Sequence, residues 1–177
     1  MLRAPLTFEL FPLVPSFVVT STDVTDGGQL SSIQVANIMG YEGANLSPQL
    51  SWSGFPVETK SFAVTIHDPD APTGSGFWHW LLIDIPASVT SLERGAGASD
   101  ASQLMSGAVA IRNDTGMMGY IGSAPPKGDE PHRYVHTVHA VDVQKLGLSS
   151  DATPALVGFN LRFHGIARAQ IVPVFGS

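Results

Sequence analysis

The sequence predicts a mostly β fold of antiparallel strands with one late helix. Three observations carry that expectation. Apolar runs of strand length recur along the 177 residues, separated by clusters of turn-forming residues. Glycine (18) and proline (13) interrupt the chain too often for long helices. Strand-like and helix-like segments do not alternate, so the crossover units of a parallel sheet are absent from the pattern.

The elements follow in order. Residues 16–21 (SFVVTS) are short and β-branched, and residues 49–53 (QLSWS) alternate. Residues 61–68 (SFAVTIHD) put Phe62, Val64 and Ile66 on one face. Residues 78–85 (WHWLLIDI) are almost continuously apolar, as a strand covered on both faces should be. Strands are also expected over 108–112, over 134–143 (YVHTVHAVDV) and over 167–174 (ARAQIVPV). Turn signals stand at 26–28 (DGG), 72–76 (PTGSG), 95–97 (GAG) and 125–131 (PPKGDEP). The helix follows Ser150 or Asp151 as its cap, takes Pro154 in its first turn and ends at Gly165. Leu156, Phe159 and Phe163 recur at helical spacing and are expected to pack into the core.

Composition narrows the function classes. Only 14% of residues are charged, against about 25% in an average soluble domain. With 44% hydrophobic residues the chain can bury enough surface to fold. The net charge of −6, without a Lys/Arg cluster, argues against a surface that tracks nucleic-acid phosphates. The absence of cysteine removes disulfides, thiolate nucleophiles and Cys-based zinc sites. No window approaches the ~20 apolar residues of a membrane span. The first residues are apolar, but Pro5, Pro12, Pro15 and Glu9 make them a poor match to a signal peptide. Residues 1–15 read as an N-terminal extension making apolar contacts, on a neighbouring subunit if the chain is a homodimer. Residues 16–177 read as a single domain, and a cytoplasmic location is expected.

Polar residues concentrate in two segments rich in glycine and proline. In the first, a strand ends on Asp68 and Asp70 around a stiff proline corner, with His79 between two indoles shortly after. A buried imidazole needs partners, and a carboxylate of the corner would fix the tautomer and favour imidazolium. In the second, residues 119–128 form a Gly/Pro loop whose amides can approach a ligand. His132 and Tyr134, two apart, share one face and could donate to one anion. Spacing alone leaves plainer alternatives open: a turn capped by structural aspartates around a satisfied core histidine, and a surface loop on which a histidine and a tyrosine pack. His132 and His136 would pair as zinc ligands on a helix, but that run reads as a strand and no HExxH occurs. A metal site built from His67, His79, His132 and the two acids is conceivable, and none is expected. No GxSxG elbow, GxGxxG fingerprint or Walker A loop is present.

Four motifs in order resemble the phosphatidylethanolamine-binding protein family. They are Gly43-Ala44-Asn45-Leu46-Ser47-Pro48-Gln49-Leu50-Ser51-Trp52, DPDAP at 68–72, WHW at 78–80, and a GxxPPxGxxxHRY loop at 122–134; Asn113-Asp114 fits a further element. The compact helix after the HRY strand is most similar to the bacterial, Raf kinase inhibitor-like branch. The resemblance implies a large antiparallel sheet packed on a smaller one, with one or a few peripheral helices. It also implies a small pocket for phosphate, acetate or phosphoryl head groups. Carried onto this sequence, that pocket comprises Asp68, Asp70, Ala71, Pro72, His79, Ser123, Ala124, Pro125, Pro126, His132 and Tyr134, with Asp68 the one that could simply brace the corner. Ala124 stands where the family commonly has Gly or Cys, which narrows the backbone approach. The longer C-terminal helix of eukaryotic members has no counterpart here, so a more open mouth is expected. The function expected is non-enzymatic binding of a small anion or phosphoryl group, modulating signalling through phosphorylated ligands or partners. A hydrolase using the Asp/His pocket for acid–base chemistry and a kinase-inhibitor-like interaction module are the alternatives. No cofactor, resident metal or nucleic-acid partner is expected.

Overall fold

The longest apolar runs of the sequence form the centre of the fold. The computed structural model describes residues 3–100 and 105–176. Its elements run β1 (Val18–Thr20), β2 (Leu50–Ser53), β3 (Ser61–Asp68), β4 (Phe77–Pro86), β5 (Ser91–Leu92), β6 (Val109–Ala110), β7 (His132–Arg133), β8 (Val135–Val141), α1 (Pro154–His164), β9 (Gly165–Ile171) and β10 (Val174–Phe175). Every pairing between these strands is antiparallel.

A five-stranded sheet in the order β6-β4-β3-β8-β9 is flanked by a three-stranded sheet, β1-β2-β5, and by the β10-β7 ribbon. Strand periodicity sorts the core into two layers. Phe62, Val64 and Ile66 of β3 and Trp80 and Leu82 of β4 pack against Leu50, Trp52 and Leu92 of the smaller sheet. Ala63, Leu81 and Ile83 point the other way and meet Val157 and Leu161 of α1. Both faces of β3 and β4 are therefore covered, and every residue of β3 is buried.

Three details differ from the sequence expectation. The helix cap is Thr153, whose Oγ1 accepts from the Leu156 amide at 3.2 Å, while Asp151 pairs with Arg112. The stripe Leu156, Phe159 and Phe163 faces outward, because α1 seats Val157 and Leu161 on the sheet; Phe159 is 62% and Phe163 64% exposed. The C-terminal strand is two strands, since Pro173 sits between β9 and β10.

The described part of the extension packs on its own chain. Residues 3–15 run along the outer face of the large sheet, where Phe8 is buried against His139 and Trp78. Residues 1 and 2 lie outside the described residues.

Candidate functional site

The site forms where β3 and β4 end and two loops cross the strand ends. A register shift between Ile66 and His67 precedes the corner and re-aims the last residues of β3. Gly76 turns the chain back into β4 in the left-handed region (φ 73°), and a Cβ there would stand 2.5 Å from His67 Nε2. The loop after residue 119 is laid over the strand ends by backbone bonds. The Ile121 amide donates to the His79 carbonyl at 3.0 Å, and the Gly122 amide donates to Asn45 Oδ1 at 2.7 Å. Asn45, from the GANLSP stretch, itself has φ 56°. The β10-β7 ribbon holds His132 opposite Phe175.

These elements enclose a cavity of about 210 Å³. Asp68, Ala71, Pro72, His79, Ala124, Pro125, Pro126, His132 and Tyr134 line it, nine of the eleven residues expected from the sequence. Ile38, Met39, Phe77 and Ile121 add apolar wall, and Thr73, Thr115 and Gly122 complete it. Asp70 and Ser123 are not in the wall.

The two acids of the corner exchange the roles expected of them. Asp70 turns away and accepts three N–H bonds from Arg133, from its backbone (2.9 Å), Nε (2.8 Å) and Nη2 (2.7 Å). Burial disfavours its charge, but the Arg133 bonds outweigh it and hold the carboxyl below the usual range. Asp68 faces the cavity. Its Oδ2 lies 2.7 Å from His132 Nδ1, and its Oδ1 accepts the Asp70 amide at 2.8 Å. The Asp68 bond holds the His132 imidazole above the usual histidine range despite burial. Asp129 Oδ2 stands 3.5 Å from His132 Nε2, longer than an ordinary hydrogen bond.

His79 is also corrected. Its partner is the Ile121 carbonyl, to which Nδ1–H donates at 2.8 Å, not a carboxylate. Burial pushes its pKa down, so the ring is neutral and keeps an Nε2 lone pair as an acceptor. The ring sits edge-on to Tyr134, with centroids 5.2 Å apart. The Tyr134 hydroxyl has no well-formed hydrogen bond, and its polar company is the Ser123 hydroxyl, which has none either. Burial drives the Tyr134 phenol pKa upward, so it stays a proton donor. The cavity thus offers one cationic donor and one neutral acceptor beside a carboxylate, with the Tyr134 hydroxyl a neutral donor buried in its wall.

Sequence reasoning missed Asp129, Asn45 and the Ile38-Met39 wall. An acid three residues before His132 and an Asn amid Gly and Pro were visible signals for the first two. Nothing in the pattern marked Ile38 and Met39. Among the described residues, no group of three His, Asp or Glu side chains converges as a metal site would require. No described helix is long and apolar enough to cross a membrane.

The sequence, and the five-stranded sheet backed by a smaller one, match a known family. Residues 20–176 fit the model described as phosphatidylethanolamine-binding protein, and the chain belongs to that family. Within it, the chain falls with the bacterial proteins YbcL and YbhB of Escherichia coli (strain K12). It is 50% identical to YbcL over 160 residues, covering 90% of this chain and 87% of YbcL. Identity to YbhB is 48% over 155 residues, covering 88% of this chain and 97% of YbhB. The crystal structure of Escherichia coli YbcL superposes with a TM-score of 0.89 at 49% identity, over 92% of this chain and 99% of that one.

Proposed function

We propose that this chain binds a small oxyanion and does not turn it over, and that a phosphoryl group carrying one proton is the preferred form. The observation that carries the reading is His132, kept cationic by Asp68 at 2.7 Å in a largely apolar wall. Its Nε2–H is only loosely engaged by Asp129, so a ligand oxygen can take it. Tyr134 lines the same cavity, and its buried hydroxyl, without a well-formed hydrogen bond, is a second donor available to a ligand there. Neutral His79 supplies an acceptor, which a fully ionised oxyanion cannot use and a P–OH can. The Asp68 carboxylate likewise repels a dianion more than a monoanion.

Binding without turnover is supported by the hydroxyls of the wall. Thr73 Oγ1 donates to the Gly76 carbonyl and Thr115 Oγ1 to Asn113. The Tyr134 phenol is held protonated by burial. None of them is paired with a base as an activated nucleophile would be. The phosphoryl group can belong to a metabolite, a lipid head or a phosphorylated protein side chain, through which the chain would act on signalling.

Calorimetric titration with inorganic phosphate at pH 6 tests the reading. Saturable binding is expected in the wild type, weakened about tenfold or more in His132→Gln, which corresponds to losing about 1.4 kcal/mol. Wild-type protein that takes up no phosphate at millimolar concentration, or equal binding by His132→Gln, would refute it.

A further inference from the structure

We infer that residues 3–15 form a strap that positions His132 by gripping the residues on either side of it. The ligand consequence rests on the proposed function; the grip itself does not. The family match begins at residue 20, so the strap lies outside the matched region.

The strap has an anchor and a tip. At the anchor, Phe8 adopts a left-handed backbone (φ 71°) and drives its ring into the outer face of the large sheet. The ring meets His139 edge-on, with centroids 4.6 Å apart. Thr7 Oγ1 lies 2.6 Å from His67 Nδ1, and the Arg168 guanidinium donates to the Pro12 carbonyl at 2.6 Å. Phe11 packs edge-on against Phe8 between these anchors, while Leu10 (86% exposed) and Leu13 (98%) face outward.

At the tip, two consecutive residues hold both neighbours of His132. Arg3 Nη2 donates to the Pro131 carbonyl at 2.6 Å. The Ala4 carbonyl accepts from Arg133 Nη2 at 2.7 Å, from the same guanidinium that binds Asp70. These two bonds add a second hold on a backbone that the β10-β7 pairing already sets opposite Phe175. The His132 ring must meet Asp68 at 2.7 Å, with Asp129 at 3.5 Å on its other nitrogen. A displacement of the order of 1 Å would take the Asp68 bond out of range. Because the strap is held by a few discrete contacts, it can open without unfolding the sheet.

The test uses the full chain with two variants and a control. Phe8→Gly keeps the left-handed turn and removes the anchor ring; Arg3→Gln removes the tip bond to Pro131. Leu13→Ala, at an exposed position, is the control. Amide exchange at His132 and Arg133 is expected to quicken about tenfold in both variants and to stay unchanged in the control. The His132 ring is expected to titrate at a lower midpoint by NMR in both, as its alignment with Asp68 loosens, and phosphate is expected to bind about threefold more weakly. If Phe8→Gly exposes the strap amides while His132 exchange and titration match the wild type, the inference is wrong. If Phe8→Gly does not fold, an unaltered His132 in Arg3→Gln overturns it alone. Loosening of His132 in a protein that takes up no phosphate would uphold the strap and sink the anion reading instead.

Discussion

Asp68→Asn removes one charge from the cavity wall while keeping its shape. Asp68 Oδ2 is 2.7 Å from His132 Nδ1, and both side chains are about 4% exposed. An amide oxygen can still accept the Asp70 amide in place of Oδ1, so the corner should survive. A carboxylate this close favours the imidazolium, so its loss lowers the His132 midpoint. Asp129 remains beside Nε2 and retains a smaller share of that effect. Replacing the charged acceptor by a neutral one forfeits part of a charge-assisted hydrogen bond, worth about 1.5–3 kcal/mol in full. The sign follows from the direction of the shift. A histidine raised in the folded state stabilises the protein below its unfolded pKa, and that contribution is lost as pH rises through the folded value. The stability gap between wild type and Asp68→Asn should therefore be largest near pH 5.5 and shrink toward pH 9. NMR titration of the His132 ring gives the midpoint, and urea unfolding at the two pH values gives the gap. An unaltered His132 midpoint in Asp68→Asn would refute the pairing as the source of the cation.

Four further outcomes are expected. Asp70→Ala strands the Arg133 guanidinium and should lower stability by about 1.5–3 kcal/mol by urea unfolding, while phosphate affinity falls less than in Asp68→Asn. Phosphate binding should weaken as pH rises through the His132 midpoint, and again as the ligand loses its last proton near pH ~6 for a monoester; affinity that climbs from pH 6 to 9 would contradict the donor assignment. Gly76→Ala puts a methyl group 2.5 Å from His67 Nε2 at a left-handed position, and a loss of about 1–3 kcal/mol in thermal or urea unfolding is expected. Phe62→Ala, at a fully buried position between the two sheets, should cost about 3–5 kcal/mol and leave the His132 titration in place.

The parts of the fold legible in the sequence are those whose pattern is long. β3, β4 and β8 stand out as apolar runs because both faces of the strands are covered. β5 and β7 have two residues each and carry no periodicity to read. Pro154 and Gly165 mark the ends of α1, yet the apolar stripe expected to face the core faces outward. Helical spacing identifies a stripe, and only the partner surface decides which stripe is buried; here it is Val157 and Leu161. The site followed the same division. The motifs brought the two loops to one place, and nine of eleven residues line the cavity. Which aspartate serves which partner was not legible, because His132 and Arg133 are adjacent and the proline corner sends Asp68 and Asp70 in opposite directions. A buried imidazole needs a partner, which suggests a carboxylate for His79, but a backbone carbonyl meets that need. Backbone acceptors of this kind exist at every position and leave no trace in residue identity.

The most direct measurement is a phosphate titration at pH 6, followed through the ring protons of the histidines. His132 and His79 should shift together and saturate with one dissociation constant. His164, on the surface beside Asp142 and outside the cavity, should stay still. Unmoved His132 and His79 signals at millimolar phosphate, or a His164 response that matches theirs, would contradict the assignment of this cavity as an oxyanion site.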